Sequence, residues 1–201
     1  MTDKVIVTIE LALIMVFPLI IFYQRMKNGF KSTFLNVVLL YLIWFFSYAL
    51  LHELCHVLGS WITGAKIGDY QLIPRYWEGD YKNAYVGSIF ENGIQGFISP
   101  ISPYIRDIIF LFVGYVILKG KKITGSFVDG LIVVLFVLSP IYDIFNNYFG
   151  FVLDARNDFS AIRKVTGSFW THTIGLLFTL TGIFIFWRLF VRIKNMRIFD
   201  L

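Results

Sequence analysis

Two histidines four residues apart, with a glutamate beside the first, are the residues of this sequence best suited to chemistry. They are His52, Glu53 and His56, in the pattern His-Glu-x-x-His. On a helix, residues four apart lie one turn apart on the same face, so both imidazoles can bind one zinc ion. Glu53 lies one step round the helix and can act as a general base toward a water molecule. The spacing therefore predicts a zinc site with hydrolytic chemistry.

The residues on both sides of this motif are compatible with lipid. The motif lies toward the end of a long apolar stretch of about 34–63, which is rich in leucine and aromatic residues. An ionisable group in a membrane-spanning helix costs roughly 2.5–3.5 kcal/mol on insertion scales. Three such groups within five positions therefore indicate a functional site inside a membrane.

Other readings of the motif remain open. A non-catalytic membrane scaffold or a transporter-like protein would use the histidines to bond neighbouring helices, and a pseudo-protease would bind zinc without cutting. An aspartyl protease using Asp107 and Asp143 is less favoured, because the sequence has no Gly-x-Gly-Asp pattern and Asp107 directly follows Arg106. Zinc content and the effect of replacing Glu53 separate these classes.

The composition predicts one all-α integral membrane domain that covers residues 1–201. The chain is 57% hydrophobic and 19% aromatic, and its mean hydropathy is +0.71, well above that of soluble domains. Stretches long enough to cross a bilayer fill most of it. We expect about five transmembrane helices, at about 5–23, 34–63, 104–118, 127–151 and 169–190.

Two stretches between these spans predict other structure. Residues 65–85 mix glycine and proline with short apolar–polar alternation, which favours a short β-hairpin. Residues 87–103 are apolar but interrupted by glycine and proline, and we expect a broken or re-entrant segment that leads into the third span.

The positive charges indicate membrane orientation rather than nucleic-acid binding. The net charge is +5, and lysine and arginine cluster near residue 28, near residue 120 and at the C-terminal end. The positive-inside rule places these clusters in the cytoplasm and the segments 65–85 and 152–167 on the outer side.

A catalytic zinc site needs a third protein ligand and one open position. His56 lies about eight residues before the outer end of its helix, roughly 12 Å at 1.5 Å per residue. Asp143 lies at a similar distance from the outer end of its span, so we expect it to be the third ligand. Asp129 lies roughly 21 Å deeper by the same rise and cannot reach. Asp158 and His172 are the alternatives, since a fold-back of the outer loop would bring either one close.

Each candidate also has a purely structural interpretation. Asp143 can pair with Arg106, Asp158 can cap the short helix after it, and His172 can be an interfacial histidine with a satisfied hydrogen bond. Further candidates follow Asp143 by about one turn. Asn146 and Asn147 could orient a substrate, although bonding at a helix end explains them equally well.

The sequence resembles the site-2 protease family of intramembrane zinc metalloproteases. The residues Ser139-Pro140-Ile141-Tyr142-Asp143 resemble the family's Asn-Pro…Asp-Gly motif, with Ser139 in place of Asn and Ile144 in place of Gly. A further similarity is to the M50B-like branch of that family, and it spans residues 34–190. It is carried by Gly64-Ala65-Lys66-Ile67 and by Asn157-Asp158-Phe159-Ser160-Ala161-Ile162, with Thr166-Gly167 ahead of a last span that contains Trp170 and Trp187.

The resemblance implies a function. It implies a Zn2+-dependent endopeptidase with Glu53 as the general base, whose partners are the lipid bilayer and a membrane-embedded or membrane-adjacent protein or peptide substrate. A multi-pass protein of a prokaryotic plasma membrane is the expected setting. The 65–85 segment would hold substrate as an added strand, and the 87–103 segment would control substrate access.

Overall fold

The computed structural model describes residues 30–75, 78, 84–120, 127–153 and 157–199. The first predicted span, at about 5–23, and the basic cluster near residue 28 lie outside these residues. So does most of the basic cluster near residue 120.

Long apolar helices make up most of the described chain. Helix α1 covers Phe30–Thr63 and helix α2 covers Gly93–Gly120. A third long helix consists of α3 (Phe127–Val133), a π-helical segment (Val134–Leu138) and α4 (Ser139–Val152). The short helix α5 covers Asp158–Thr166, and α6 covers Ser168–Phe199.

Four helices in the described residues are long and apolar enough to cross a membrane. Their candidate spans are Leu35–Thr63, Gly93–Gly120, Phe127–Val152 and Ser168–Leu189. At 1.5 Å per residue, even a span of about 20 residues covers a hydrocarbon core of roughly 30 Å. The predicted mostly helical architecture is therefore confirmed, and four of the described helices are compatible with membrane spans, against the five that we predict.

The predicted β-hairpin is also present. Strand β1 (Lys66–Gln71) pairs antiparallel with β2 (Tyr85–Ile89), and an irregularity in the pairing falls between Ile67 and Tyr70. Helix α1 ends just before this hairpin because Gly64 adopts a φ of 71°, a left-handed conformation that residues with a β-carbon seldom adopt.

The prediction of a broken or re-entrant segment at 87–103 is wrong. Residues 85–89 form β2, and Gly93–Gly120 is one continuous helix with Pro100 and Pro103 inside it. A proline removes one i→i−4 hydrogen bond, and a membrane helix tolerates this where neighbouring groups satisfy the freed carbonyl. The third predicted span therefore begins near residue 93 rather than near 104.

A proline also explains the π-helical segment Val134–Leu138. Pro140 has no N–H for the carbonyl of Phe136, four residues earlier, and the helix widens locally at Val134–Leu138. This segment lies tightly against α2, because a β-carbon added at Gly114 would lie 2.8 Å from Cβ of Phe136. A glycine is therefore required at this contact.

The buried core lies between α2, α4 and α5. Tyr104 and Leu111 of α2, Ile144 of α4, and Phe159 and Ile162 of α5 are at most 1% exposed. The rings of Tyr104 and Phe159 lie 4.8 Å apart, centroid to centroid. Two apolar side chains thus hold the short helix α5 against the membrane helices, and this packing fixes the position of its first residue, Asp158.

Candidate metal centre

The two motif histidines lie on one buried face of α1. His52 is 7% exposed and His56 is 6% exposed. Their Nε2 atoms lie 3.2 Å apart, as the one-turn spacing predicts. Glu53 is also buried, and its carboxyl group is close enough to interact electrostatically with both histidines and with Asp158.

Asp158 approaches this pair from α5. Its Oδ2 atom lies 3.1 Å from Nε2 of His52 and 3.3 Å from Nε2 of His56. Asn157 caps the helix just before it, because the side-chain oxygen of Asn157 accepts a hydrogen bond from the backbone N–H of Ser160. The hydroxyl of Tyr104 donates to the same Oδ2 atom at 2.8 Å. Asp158 is thus held in place both by its helix and by α2.

The electrostatic environment keeps Asp158 ionised. Burial alone raises the pKa of this carboxyl, but attraction to His56 and hydrogen bonds from His52 and His56 lower the pKa well below its usual range. The N-terminus of α5 adds a favourable helix dipole. Asp158 is therefore available as an anionic ligand at neutral pH.

The hydrogen bonds on the far side of each imidazole determine which nitrogen faces Asp158. Nδ1 of His56 donates to the backbone carbonyl of Ser99 at 2.8 Å, since a carbonyl oxygen can only accept. Nδ1 of His52 donates to Oδ2 of Asp143 at 2.7 Å. Protons on the two Nε2 atoms form the hydrogen bonds to Asp158. A bound metal ion would replace these protons, so that each ring keeps its Nδ1–H and directs an Nε2 lone pair at the ion.

The distances between these three atoms fit a tetrahedral metal site. The ligand atoms of His52, His56 and Asp158 all lie within 4.8 Å of one another. In a tetrahedral site with ligand distances of 2.0–2.1 Å, ligand atoms lie roughly 3.3–3.4 Å apart. The separations of 3.1, 3.2 and 3.3 Å are close to that value. Three electron-pair donors that converge in this way favour a bound cation, so this group could hold a metal ion.

Asp143, the predicted third ligand, does not lie among the converging ligand atoms. The depth argument correctly places it beside the motif, but its carboxylate contacts Nδ1 of His52, on the opposite edge of the ring from Nε2. Asp143 is 0% exposed and accepts further hydrogen bonds from Arg106 and Asn147, each at 2.8 Å. It therefore orients His52, and Asp158 replaces it as the third member of the group.

The remaining candidates lie outside this group. Nδ1 of His172 lies 3.1 Å from the hydroxyl of Tyr148, consistent with the interfacial interpretation of this histidine. Asn146 is exposed, and no contact tests its predicted role in substrate binding. The amide of Asn147 is committed to Asp143, and its backbone carbonyl accepts a hydrogen bond from Asn157 at 2.6 Å.

Ser99 and Tyr104 also contact this group, although neither is among the site residues predicted from the sequence. Tyr104 has no sequence signal, because its contact with Asp158 depends on how α5 folds back. Ser99 has one. It lies four residues before Pro103, so the helical partner of its carbonyl is missing.

Comparisons with protein-family models, with curated proteins and with solved structures found no match to this chain. In the part of the chain that the structure describes, fold and site together define a mostly helical protein with four candidate membrane spans and a group of two buried histidines and one partly buried aspartate that could hold a metal ion. The likeness to the site-2 protease family stays a prediction from sequence.

Proposed function

We propose that this protein is an intramembrane zinc metalloprotease that hydrolyses peptide bonds of membrane-embedded or membrane-adjacent polypeptides. One observation carries the proposal. Three potential ligand atoms, from His52 and His56 on α1 and from Asp158 on α5, converge at tetrahedral spacing, with the carboxylate of Glu53 beside them.

The set of donors suits zinc better than the alkaline-earth ions. Two imidazole nitrogens with one carboxylate are ligands that zinc accepts, whereas calcium and magnesium prefer oxygen alone. When bound, zinc would supply a Lewis acid for the peptide carbonyl and lower the pKa of a bound water to about 7. His52, His56 and Asp158 would occupy three positions and leave the fourth for substrate and water.

Glu53 would carry the protons in this reaction. A carboxylate next to the metal ligands would take a proton from the attacking water and then pass it to the leaving amine of the peptide bond. Glu53 is 6% exposed and directly follows His52 on α1, which places its carboxyl group beside the proposed metal ligands.

The neighbourhood of the site supports an extended peptide as substrate. The hairpin of β1 and β2 follows directly after α1, and most residues of β1 are exposed. Among the described residues the sheet has only these two strands, and an extended polypeptide could add to an edge of it through backbone hydrogen bonds. A substrate helix would have to unwind to bind in this way, which would also expose its peptide bonds.

The test compares wild type with Glu53→Gln in the cells that make the protein. Membrane fractions would be analysed for new protein N-termini. Glu91→Gln provides a matched control, because Glu91 is an exposed glutamate paired with Lys66. We expect cleavage products with wild type and Glu91→Gln and none with Glu53→Gln, although the purified Glu53→Gln protein still binds zinc.

Two results would overturn the proposal. If folded wild type binds zinc but yields the same N-termini as Glu53→Gln, the protein is a non-catalytic zinc protein. If folded wild type binds no zinc after addition of the ion, the histidines serve a scaffold or transporter-like role.

A further inference from the structure

The orientation of His56 depends on a carbonyl that has no partner within its own helix. In an α-helix the carbonyl of Ser99 accepts a hydrogen bond from the N–H of residue 103. That residue is Pro103, which has no N–H and whose ring also pushes the carbonyl aside. The carbonyl of Ser99 accepts instead from Nδ1 of His56 at 2.8 Å, across the contact between α1 and α2.

We propose that Pro103 is a positioning residue of the metal centre: by freeing the carbonyl of Ser99, it holds His56 with Nε2 directed at Asp158. The proposal rests on the metal-binding part of the proposed function and not on proteolysis. Pro103 acts on His56 through the carbonyl of Ser99 rather than as a ligand.

Close packing of the two helices makes this carbonyl reachable. A β-carbon added at Gly59, one turn after His56, would lie 2.9 Å from Cα of Ser99 and 3.1 Å from the carbonyl oxygen of Ile98. The backbones of α1 and α2 therefore approach each other as closely as glycine allows. An imidazole on α1 can reach a backbone carbonyl on α2 only at such a distance.

The side chain of Ser99 strengthens the same contact. Its hydroxyl lies 2.8 Å from the hydroxyl of Ser60 and donates to the backbone carbonyl of His56 at 3.3 Å. Ser99 is 1% exposed and Pro103 is fully buried, so water cannot readily replace the interaction. Two hydrogen bonds thus link one residue of α2 to His56, one to its ring and one to its backbone.

The chain contains its own control for this role. Pro100 lies in the same helix, is also buried, and frees the carbonyl of Gly96 in the same manner. Gly96 packs near Val165 of α5, and a β-carbon there would lie 3.0 Å from its Cγ2 atom. The ring nitrogens of His52 and His56 bond to other groups. Loss of Pro100 should therefore straighten the helix without supplying an N–H to the carbonyl that orients His56.

The experiment measures zinc affinity of the full-length protein in detergent, by competition with a chromophoric chelator. In Pro103→Ala, the new N–H competes for the carbonyl of Ser99, and we expect affinity to fall about 10- to 100-fold, the range for loss of a partner of a ligating histidine. Pro100→Ala should keep an affinity close to that of wild type. Both changes remove a helix-breaking residue, so both proteins should fold.

A second measurement does not depend on zinc. The sequence has three histidines, so 15N-labelled histidine gives a simple nitrogen spectrum of the imidazoles in the metal-free protein. We expect Nδ1 of His56 to carry a hydrogen-bonded proton in wild type and Pro100→Ala. In Pro103→Ala that ring should show a mixture of tautomers. His172→Gln removes the third ring and completes the assignment.

The outcomes separate this proposal from the proposed function. Equal affinity and an unchanged His56 spectrum in Pro103→Ala would overturn the role of Pro103 while leaving the metal centre intact. Equal losses in both proline variants would also overturn it, since they would reflect helix straightening alone. If wild type binds no zinc, the proposed function fails, and the His56 spectrum still decides whether Pro103 orients the ring.

Discussion

The carboxylate of Asp143 accepts a hydrogen bond from Nδ1 of His52 at 2.7 Å, on the edge of the ring opposite to the one that faces Asp158. The two aspartates therefore contact the same imidazole from opposite edges. Asp143 orients the ring, and Asp158 belongs to the group that could hold a metal ion. A carboxylate behind a ligating histidine fixes the tautomer of the ring and raises its basicity. Replacing these two acids should consequently have different effects.

Asp158→Ala should lose stoichiometric zinc, because it removes a ligand atom. Asp143→Ala should still bind one zinc at saturation, with an affinity about 10- to 100-fold weaker, because only the partner of His52 is lost. Metal content after dialysis and a competition titration distinguish the two results. If Asp143→Ala loses zinc as completely as His56→Ala while Asp158→Ala retains it, Asp143 is the third ligand.

Zinc should stabilise the folded chain, and this stabilisation should be lost when one of the three ligands is removed. A ligand that binds only the folded state at 100 times its dissociation constant stabilises it by about 2.7 kcal/mol. We expect the thermal midpoint of wild type to fall on treatment with a chelator and to recover on addition of zinc. His56→Ala and Asp158→Ala should show neither change, and a zinc response equal to that of wild type in either variant would place the ion elsewhere.

Arg106→Gln should destabilise the protein strongly. The guanidinium of Arg106 pairs with Asp107 and, at 2.8 Å, with Asp143, and both carboxylates are 0% exposed. Removing one member of a buried ion pair costs roughly 3–5 kcal/mol, because it leaves a buried charge without its partner. Thermal unfolding in detergent measures the loss.

Lys66→Gln is the matched control for that experiment. Lys66 pairs with Glu91 at 2.9 Å, but both side chains are exposed, at 73% and 60%. An exposed ion pair adds little to stability, so this variant should unfold close to wild type. Equal and small effects in Arg106→Gln and Lys66→Gln would contradict the burial of the Arg106 network.

Asn157→Ala should weaken zinc binding through the helix that carries Asp158. The side chain of Asn157 caps α5 and also donates to the backbone carbonyl of Asn147 at 2.6 Å. Loss of a helix cap costs about 1 kcal/mol. Asn157→Ser keeps the capping oxygen, so its affinity should lie between those of wild type and Asn157→Ala. Wild-type affinity in Asn157→Ala would show that the packing of α5 alone fixes Asp158.

Gly59→Ala should force α1 and α2 apart. The added β-carbon would meet the hydroxyl of Ser102, Cα of Ser99 at 2.9 Å and the carbonyl of Ile98 at 3.1 Å. Overpacking of this kind costs roughly 1–3 kcal/mol, and it should also weaken zinc binding by moving Ser99 away from His56. Gly120→Ala is the control, because a β-carbon there has no described atom within 4 Å. The thermal midpoint and zinc affinity of both variants test this.

The sequence alone determined the features that depend on local geometry and composition. The four-residue spacing of His52 and His56 places both imidazoles on one face of any α-helix, and apolar stretches of sufficient length predict the membrane helices. Alternation together with glycine and proline predicted the hairpin. Each of these follows from residues close together in the chain, so no knowledge of the packing is needed.

Only the tertiary structure distinguishes the positions of Asp143 and Asp158 around His52. Both can reach the level of the motif, and they differ in the edge of the His52 ring that they approach. That edge is set by the packing of α5 against α2 through Phe159 and Ile162, which are far from His52 in sequence. The continuity of α2 through Pro100 and Pro103 was decided in the same way, because a helix can keep a proline when a neighbouring helix bonds to the carbonyl that the proline frees.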